Sequence, residues 1–316
     1  MLLPSGSSAS LFSDVNYSIP GAFLFSDLLF KCLDIIENKV DYAIPIKFMY
    51  GSPNFLWSGG RLIIKNNFSL YNDEDIEKEI ISIKNRNITP LITFSNSKIT
   101  EDDLKDSRCN YVLSLLNSMN CGVIIASDIL RKYIAENFSN ISIHASVIFD
   151  SFEEKRDSLF YKKLSDIYDY YVVHPDDNFN NLLLDGIPKN NAEILLNEKC
   201  HYACKIRKNH YLSISNEQKM LACGKYKSEN FLRACSSIPI NKQAKTKERN
   251  ISLTIQELKD IRNKGFTLFK LQGRTDDLSL FFFDFLRYTL ENNLVFPTIY
   301  PIILHYIEEF KKRLKC

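Results

Sequence analysis

The sequence predicts one α/β domain with a TIM-like (β/α)8 barrel fold. Short apolar runs alternate with segments of helical periodicity about seven times along the 316 residues, a pattern typical of parallel βαβ units. With this many units, a closed barrel is favoured over an open, doubly wound sheet, and the chain length suits one barrel. Seven strands are clear in the pattern, and we expect the missing first strand near residues 14–19.

Each predicted element has a local signal. Strands are expected where short apolar or alternating runs occur, at residues 41–49, 89–94, 122–126, 141–147, 170–173, 192–196 and 266–271. Helices are expected where apolar residues recur at helical spacing, often behind a polar cap, at residues 25–38, 72–86, 100–119, 127–136, 158–167, 180–185, 254–263, 276–293 and after Pro301. Thr100 with Asp103, and Thr254 with Glu257, resemble capping boxes, and Gly265 is expected to end one helix.

The composition is that of an ordinary soluble protein, with 45% hydrophobic and 25% charged residues. No apolar run reaches the roughly 18 residues that a membrane-spanning helix needs. The first residues lack the basic and apolar regions of a signal peptide. We therefore expect a cytoplasmic protein with a single domain over residues 1–316, in which residues 1–12 form a disordered lead and residues 197–250 form a cysteine-rich basic insertion.

The insertion carries most of the positive charge of the chain. Residues 197–250 contain twelve lysines and arginines against four acidic residues, a local excess of eight, whereas the whole chain has a net charge of only +2. A basic patch near an active site attracts an anionic substrate, a phosphate group or RNA. A solvated, lysine-rich loop explains the same charge pattern, and the sequence leaves both interpretations open.

Four of the eight cysteines lie close together after a predicted strand, namely Cys200, Cys204, Cys223 and Cys235. In a chain without secretory features, clustered thiols indicate a metal site more than disulfides. Their spacing is C-x3-C-x18-C-x11-C, in which only the first pair matches a zinc knuckle. An iron–sulfur cubane tolerates one close pair and two remote thiolates. The spacing alone leaves zinc, iron–sulfur and incidental cysteines open.

Polar residues follow the predicted strands at the end where barrel enzymes place their chemistry. Lys270 and Arg274 stand out, because two cations near the end of one buried strand require an anion or a carboxylate. We expect that partner to be Glu198 or a substrate. Arg61, after Gly60, is a further candidate for binding an anion. Other polar residues at strand ends have structural explanations as well as functional ones, namely Tyr50, Asn96, Ser127, Asp128, His144, Ser146, His174 and Gln272.

Residues 269–274 (FKLQGR) resemble the lysine–aliphatic–glutamate–glycine–arginine signature of the U32 (collagenase-like) peptidase family. Residues 50–53 (YGSP), the Gly60-Arg61 pair and the strand end at Asn197-Glu198 are similar as well. The resemblance implies a TIM-like barrel and four cysteines that hold a [4Fe-4S] cluster. Members of the family include proteases, an RNA-cytidine hydroxylation protein and a paired system for oxygen-independent ubiquinone hydroxylation. This chain departs from the family at Gln272, where the signature has glutamate, and in its cysteine spacing.

The leading hypothesis is an iron–sulfur barrel enzyme that hydroxylates RNA or a small aromatic metabolite, with a related partner subunit as a further expectation. A cysteine-dependent peptidase and a non-catalytic subunit that binds RNA or a partner are the alternatives. No Gly-x-Ser-x-Gly or His-Glu-x-x-His motif supports proteolysis. The predicted site consists of catalytic Lys270, Arg274, Glu198 and His144, substrate-binding Arg61, Tyr50, Asn96 and His174, and cluster ligands Cys200, Cys204, Cys223 and Cys235.

Overall fold

The barrel fold is confirmed by a computed structural model that describes residues 9–59, 72–225, 251–273 and 277–313. Eight strands close into a barrel in chain order, and every neighbouring pair is parallel, including the last strand with the first. The first strand lies near residues 14–19, where it was expected, although the sequence pattern for this strand is weak. The strands are β1 (Asn16–Ala22), β2 (Ile46–Gly51), β3 (Thr89–Phe94), β4 (Gly122–Ile125), β5 (Ser142–Ala145), β6 (Tyr170–Val173), β7 (Ala192–Leu195) and β8 (Leu268–Lys270).

Helices follow the strands, and their apolar faces pack with the outward faces of the strands into one large core. They are α1 (Ser26–Val40), α2 (Asp73–Lys84), α3 (Ser107–Ser118), α4 (Asp128–Asn137), α5 (Val147–Asp150), α6 (Ser158–Ile167), α7 (Asn181–Gly186), α8 (Arg207–Ala222), α9 (Ile255–Asn263), α10 (Leu278–Thr289) and α11 (Phe296–Arg313). No helix of the described ranges is long and apolar enough to cross a membrane.

Helix starts follow the polar caps in the sequence, with one difference. Thr254 and Glu257 form the predicted capping box of α9, which satisfies backbone N–H groups that have no partner inside the helix. Thr100 and Asp103 are also hydrogen-bonded, but only a short 3-10 turn follows them. Asp106 caps α3 instead, by accepting a hydrogen bond from the backbone of Cys109.

Two predictions about the ends of the chain were wrong in part. Helix α11 begins before Pro301 and contains it, because its apolar face is fully buried and this burial outweighs the cost of an internal proline. Residues 9–12 of the predicted disordered lead are ordered: Ser10 forms a bridge with Leu290, and the Phe12 ring lies 6.1 Å from that of Phe269. Residues 1–8 lie outside the described ranges.

The barrel interior is a second, smaller core. Side chains alternate between the two faces of a strand, and the residues flanking His144 on β5 belong to the outer core, so that His144 faces inward. The same alternation turns Ser18, Glu193 and Lys270 inward. An apolar layer inside the barrel accompanies them, formed by Phe48, Leu91, Ile124 and Leu268. Polar groups therefore share the interior with a dry apolar layer.

We predict that Gly122→Ala destabilises the protein by about 1–3 kcal/mol, the usual cost of overpacking. A methyl group at Gly122 would lie 2.6 Å from Leu91 Cδ2 and would also clash with Ser142 Oγ. Gly186→Ala is the matched control, because its methyl group would meet only Ser158 Cβ at 3.7 Å. Urea unfolding measures both effects, and equal stability of the Gly122 variant and the wild type would contradict the packing described for the barrel interior.

Candidate active site

A buried ion pair joins the last two strands inside the barrel. Lys270 Nζ lies 2.7 Å from Glu193 Oε2, and the exposed fractions of the two side chains are only 8% and 0%. Lys270 Nζ also lies 4.5 Å from the centroid of the Tyr50 ring. The expected carboxylate partner of Lys270 therefore exists, but it is Glu193 and not Glu198. Because the two charges compensate each other, the pair is neutral as a unit.

Sequence reasoning missed Glu193, which lies in the apolar run of β7. The available signal was a single charged residue in the middle of an otherwise apolar strand, which is rare without a partner. The identity of that partner depends on barrel topology, since β7 and β8 are neighbours in space but are more than seventy residues apart in the chain.

Several interior atoms near the pair have no hydrogen-bond partner among the described residues. They are Glu193 Oε1, Ser18 Oγ and His144 Nδ1, and all three side chains are fully buried. Ser18 is paired in register with Lys270 across β1 and β8. Buried polar atoms are nearly always paired with protein, water or ligand, so these three atoms make the interior a candidate for binding a ligand or substrate group.

His144 is a neutral imidazole inside the barrel. Its ring stacks on Tyr170 with centroids 4.7 Å apart and meets the Phe48 ring edge-on at 4.8 Å. Since β2 and β5 lie on opposite sides of the barrel, this contact with Phe48 crosses the interior. Burial, and then the charges of Lys270 and Lys47, lower the pKa of His144 well below its usual value. His144 can therefore hydrogen-bond a ligand, but it does not attract an anion.

His174, predicted to bind substrate, holds a protein group instead. Its Nε2 accepts a hydrogen bond from Arg207 at 2.8 Å, and its Nδ1 lies 3.7 Å from Asp176 Oδ2. Burial, and then the charges of Arg156 and Arg207, lower the pKa of His174 to about 2. His174 is thus uncharged and serves to position Arg207.

Asn197 and Gln272 tie the ends of β7 and β8 together. The Gln272 backbone N–H donates to Asn197 Oδ1 at 2.7 Å, and the Gln272 side-chain amide donates to the Asn197 carbonyl at 2.7 Å and to Glu198 Oε1 at 3.2 Å. Glu198 Oε1 also accepts from the backbone of Cys200 at 2.9 Å. A glutamate at position 272 would place a second carboxylate against Glu198. Glutamine at this position avoids repulsion between two carboxylates and donates a hydrogen bond to Glu198.

Tyr50 and Asn96, also predicted to bind substrate, make structural contacts at the mouth of the barrel. The Tyr50 hydroxyl donates to the Leu271 carbonyl at 2.5 Å. The Asn96 amide donates to the carbonyls of Ser58 and Ser215 at 3.1 and 2.9 Å. Ser215 belongs to α8, so Asn96 anchors that helix to the end of β3.

Helix α8 covers the C-terminal mouth of the barrel. The sequence did not predict this helix within the insertion, because its buried side is largely polar rather than an apolar stripe. Its contacts follow the strand ends from β6 to β2: Arg207 with His174, Tyr211 with Ala126 and Ile148, Ser215 with Asn96, and Gln218 with Asn54. The helix therefore lies as a cover over the interior polar groups.

The described cysteines do not form one cluster of ligands. The Cys200 and Cys204 thiols share a hydrogen bond, which together with burial raises the pKa of Cys200, whereas the nearby charge of Arg207 acts to lower it. Cys223 is exposed at the other end of α8, and a helix of 16 residues is about 24 Å long. The described residues contain no group of three or more side chains placed to hold a metal ion.

Three predicted site residues, Arg61, Arg274 and Cys235, lie outside the described residues. The four-cysteine arrangement that a single cubane requires does not fit the separation of Cys223 from the Cys200–Cys204 pair. We therefore assign no chemical step to a cluster.

Asp150 is a buried carboxyl group that sequence reasoning also missed. It is fully buried at the end of α5, and neither of its oxygens has a hydrogen-bond partner among the residues described. Burial raises the pKa of Asp150 well above its usual value, and the charge of Arg156 offsets this only in part, because Arg156 is paired with Asp177 at 2.8 Å. The buried site therefore favours the protonated form of Asp150.

Comparisons with known proteins agree with the motifs and the barrel. The chain is 25% identical over 268 residues to a protein of Methanocaldococcus jannaschii named as an uncharacterized protease, which covers 78% of this chain and 75% of that protein. A solved structure of a U32 peptidase has the same fold, with a TM-score of 0.53 and 12% identity over 86% of this chain and 97% of the other. No protein-family model matches the chain. The first similarity is to a protein named as a protease, and the second shows a shared barrel fold.

We predict that Asp150→Asn stabilises the protein at pH 7 and has little effect at pH 3. Because the folded-state pKa of Asp150 is raised, its contribution to stability is complete below the usual carboxyl pKa of about 4 and is lost as the pH rises above it. Asparagine resembles the protonated carboxyl group and does not ionise. Melting temperatures measured across this pH range test the prediction.

Asp166→Asn is the control for this pH series, because Asp166 is exposed and its pairing with Lys162 is a surface contact. A stability gain of the Asp150 variant that is the same at every pH would contradict the assigned protonation state.

Proposed function

We propose that this chain, a barrel of the U32 peptidase type, is an acid–base enzyme that acts at the Lys270–Glu193 pair. One observation carries the proposal: the pair is buried inside the barrel, while Glu193 Oε1 remains without a partner among the described residues. A lysine and a glutamate placed only for stability would leave no such acceptor, since breaking or under-satisfying a buried pair is costly.

In the proposed mechanism, Glu193 is the proton acceptor and Lys270 stabilises negative charge. Glu193 Oε1 accepts a proton from a bound substrate group or from an attacking water molecule. The Lys270 ammonium group, held by Glu193 Oε2 at 2.7 Å, stabilises negative charge that develops on the substrate. The apolar layer beneath the pair, and α8 above it, exclude bulk water and so strengthen both effects.

The narrower functions expected from the family resemblance also remain proposals. Hydroxylation of RNA or of a small aromatic metabolite is supported by the family resemblance and by the position of the Cys200–Cys204 pair beside Glu198 at the mouth. A cluster bound there would supply electron transfer. A cysteine peptidase is less well supported, because the thiolate form of Cys200 is disfavoured by the hydrogen bond that its thiol shares with Cys204 and by burial.

We predict that the double variant Lys270→Met with Glu193→Met folds stably but is inactive. Replacing both members of a buried ion pair by apolar residues is often neutral for stability, whereas removing one member costs about 3–5 kcal/mol. Cells that lack the gene are complemented with each variant, and RNA nucleosides, metabolites and peptides are compared by untargeted mass spectrometry. The double variant should reproduce the profile of the deletion.

Lys264→Met provides the matched control for the loss of a lysine, since Lys264 pairs with Asp185 outside the barrel. This variant should restore the wild-type profile. Restoration of the wild-type profile by the double variant would contradict the acid–base proposal, because the ion pair would then contribute only to stability.

Iron binding tests the predicted [4Fe-4S] cofactor. We expect that any iron retained after anaerobic reconstitution depends on Cys200 and Cys204 but not on Cys223, because Cys223 lies at the far end of α8. Iron content and absorbance near 400 nm are compared for Cys200→Ser, Cys204→Ser and Cys223→Ser. Equal loss of iron in all three variants would show that Cys223 joins the pair, in contrast to the arrangement described above.

A further inference from the structure

We infer that the barrel interior binds a small, uncharged substrate group rich in N–H or O–H donors, such as a carboxamide. This inference rests on the proposed function and specifies the class of group that reaches the Lys270–Glu193 pair. It differs from the anionic substrate that the basic residues led us to expect from the sequence.

The first argument comes from the buried atoms that need a partner. Glu193 Oε1 and Gln272 Oε1 have none among the described residues, and both atoms can only accept hydrogen bonds when glutamate is ionised. Ser18 Oγ and His144 Nδ1 also have no hydrogen-bond partner among the described residues, and each can accept as well as donate a hydrogen bond. A group that satisfies these four atoms must therefore supply donors.

The four atoms belong to neighbouring or facing positions of one interior. Ser18 is in register with Lys270, and Lys270 contacts Glu193. Gln272 follows Lys270 by two residues, which places it on the same face of the extended chain, one layer nearer the mouth. His144 is close enough for the charge of Lys270 to lower its pKa. The four side chains thus face the same barrel interior.

The second argument concerns charge. A cation that enters the interior is repelled by the Lys270 ammonium group, and an anion is repelled by the Glu193 carboxylate. The pair as a whole carries no net charge, so it attracts neither kind of ion. His144 is neutral and adds no charge. In a water-poor interior, the desolvation of a charged ligand would remain uncompensated. The geometry therefore selects a neutral group.

The experiment compares four probes of similar size with the full-length protein by saturation-transfer NMR. They are acetamide, N,N-dimethylacetamide, acetate and acetamidinium. Acetamide should bind at least fivefold more tightly than each of the others, because it is neutral and retains its N–H donors, and an unpaired buried acceptor is costly. Tighter binding of acetate or acetamidinium, or equal binding of the dimethylated amide, would overturn the inference.

Variants assign the binding to the interior. Ser18→Ala should weaken acetamide binding at least threefold, whereas Ser114→Ala, at an exposed position on α3, should leave it unchanged. In Glu193→Gln the charge of Lys270 is no longer compensated, so that acetate should become the preferred probe. If acetamide binds equally to wild type and Ser18→Ala while acetate stays weak in Glu193→Gln, the site lies elsewhere and the inference is wrong.

These measurements involve no turnover. They are therefore independent of the complementation experiment, and each proposal can fail without the other.

Discussion

The Lys270–Glu193 ion pair is the constraint on which the interior of this barrel depends. Two charges enclosed by strands cannot be hydrated, so each requires the other, and their 2.7 Å contact connects β7 to β8 beside the point where the barrel closes onto β1. The same contact cancels the charge of the lysine. The interior is therefore a neutral site whose acceptors have no partner among the described residues, which is the arrangement that the proposed acid–base chemistry uses.

Helix α8 connects this interior to the remaining features of the mouth. It is held by polar contacts with the strand ends, notably Arg207 with His174 and Ser215 with Asn96, and not by an apolar stripe. Both contacts are buried, so a buried polar group that lost its partner would be costly for stability. The length of the helix explains why Cys223 stands apart from the Cys200–Cys204 pair.

The candidate site was predictable only where a single residue revealed it. Lys270 was identified because a cation at the end of a buried strand needs a partner, and His144 because it is a polar residue near the end of a predicted strand. Glu193, Ser18 and Arg207 were missed, since their significance lies in what they face across the barrel. His174 was placed correctly at the end of a strand, but its pKa and its contact with Arg207 come from burial, which the local sequence does not show.

The amino-acid sequence by itself determined the barrel, the order of its strands and most helix starts, because alternation, periodicity and capping act between residues close together in the chain. Only the tertiary structure decided the partner of Lys270, the raised pKa of Asp150 and the separation of the cysteines. Those properties depend on distances and burial between residues far apart in the chain. The position of the polar helix α8 could not be predicted from the sequence for the same reason. It is determined by the strand ends that the helix covers and not by the hydrophobic pattern of the helix itself.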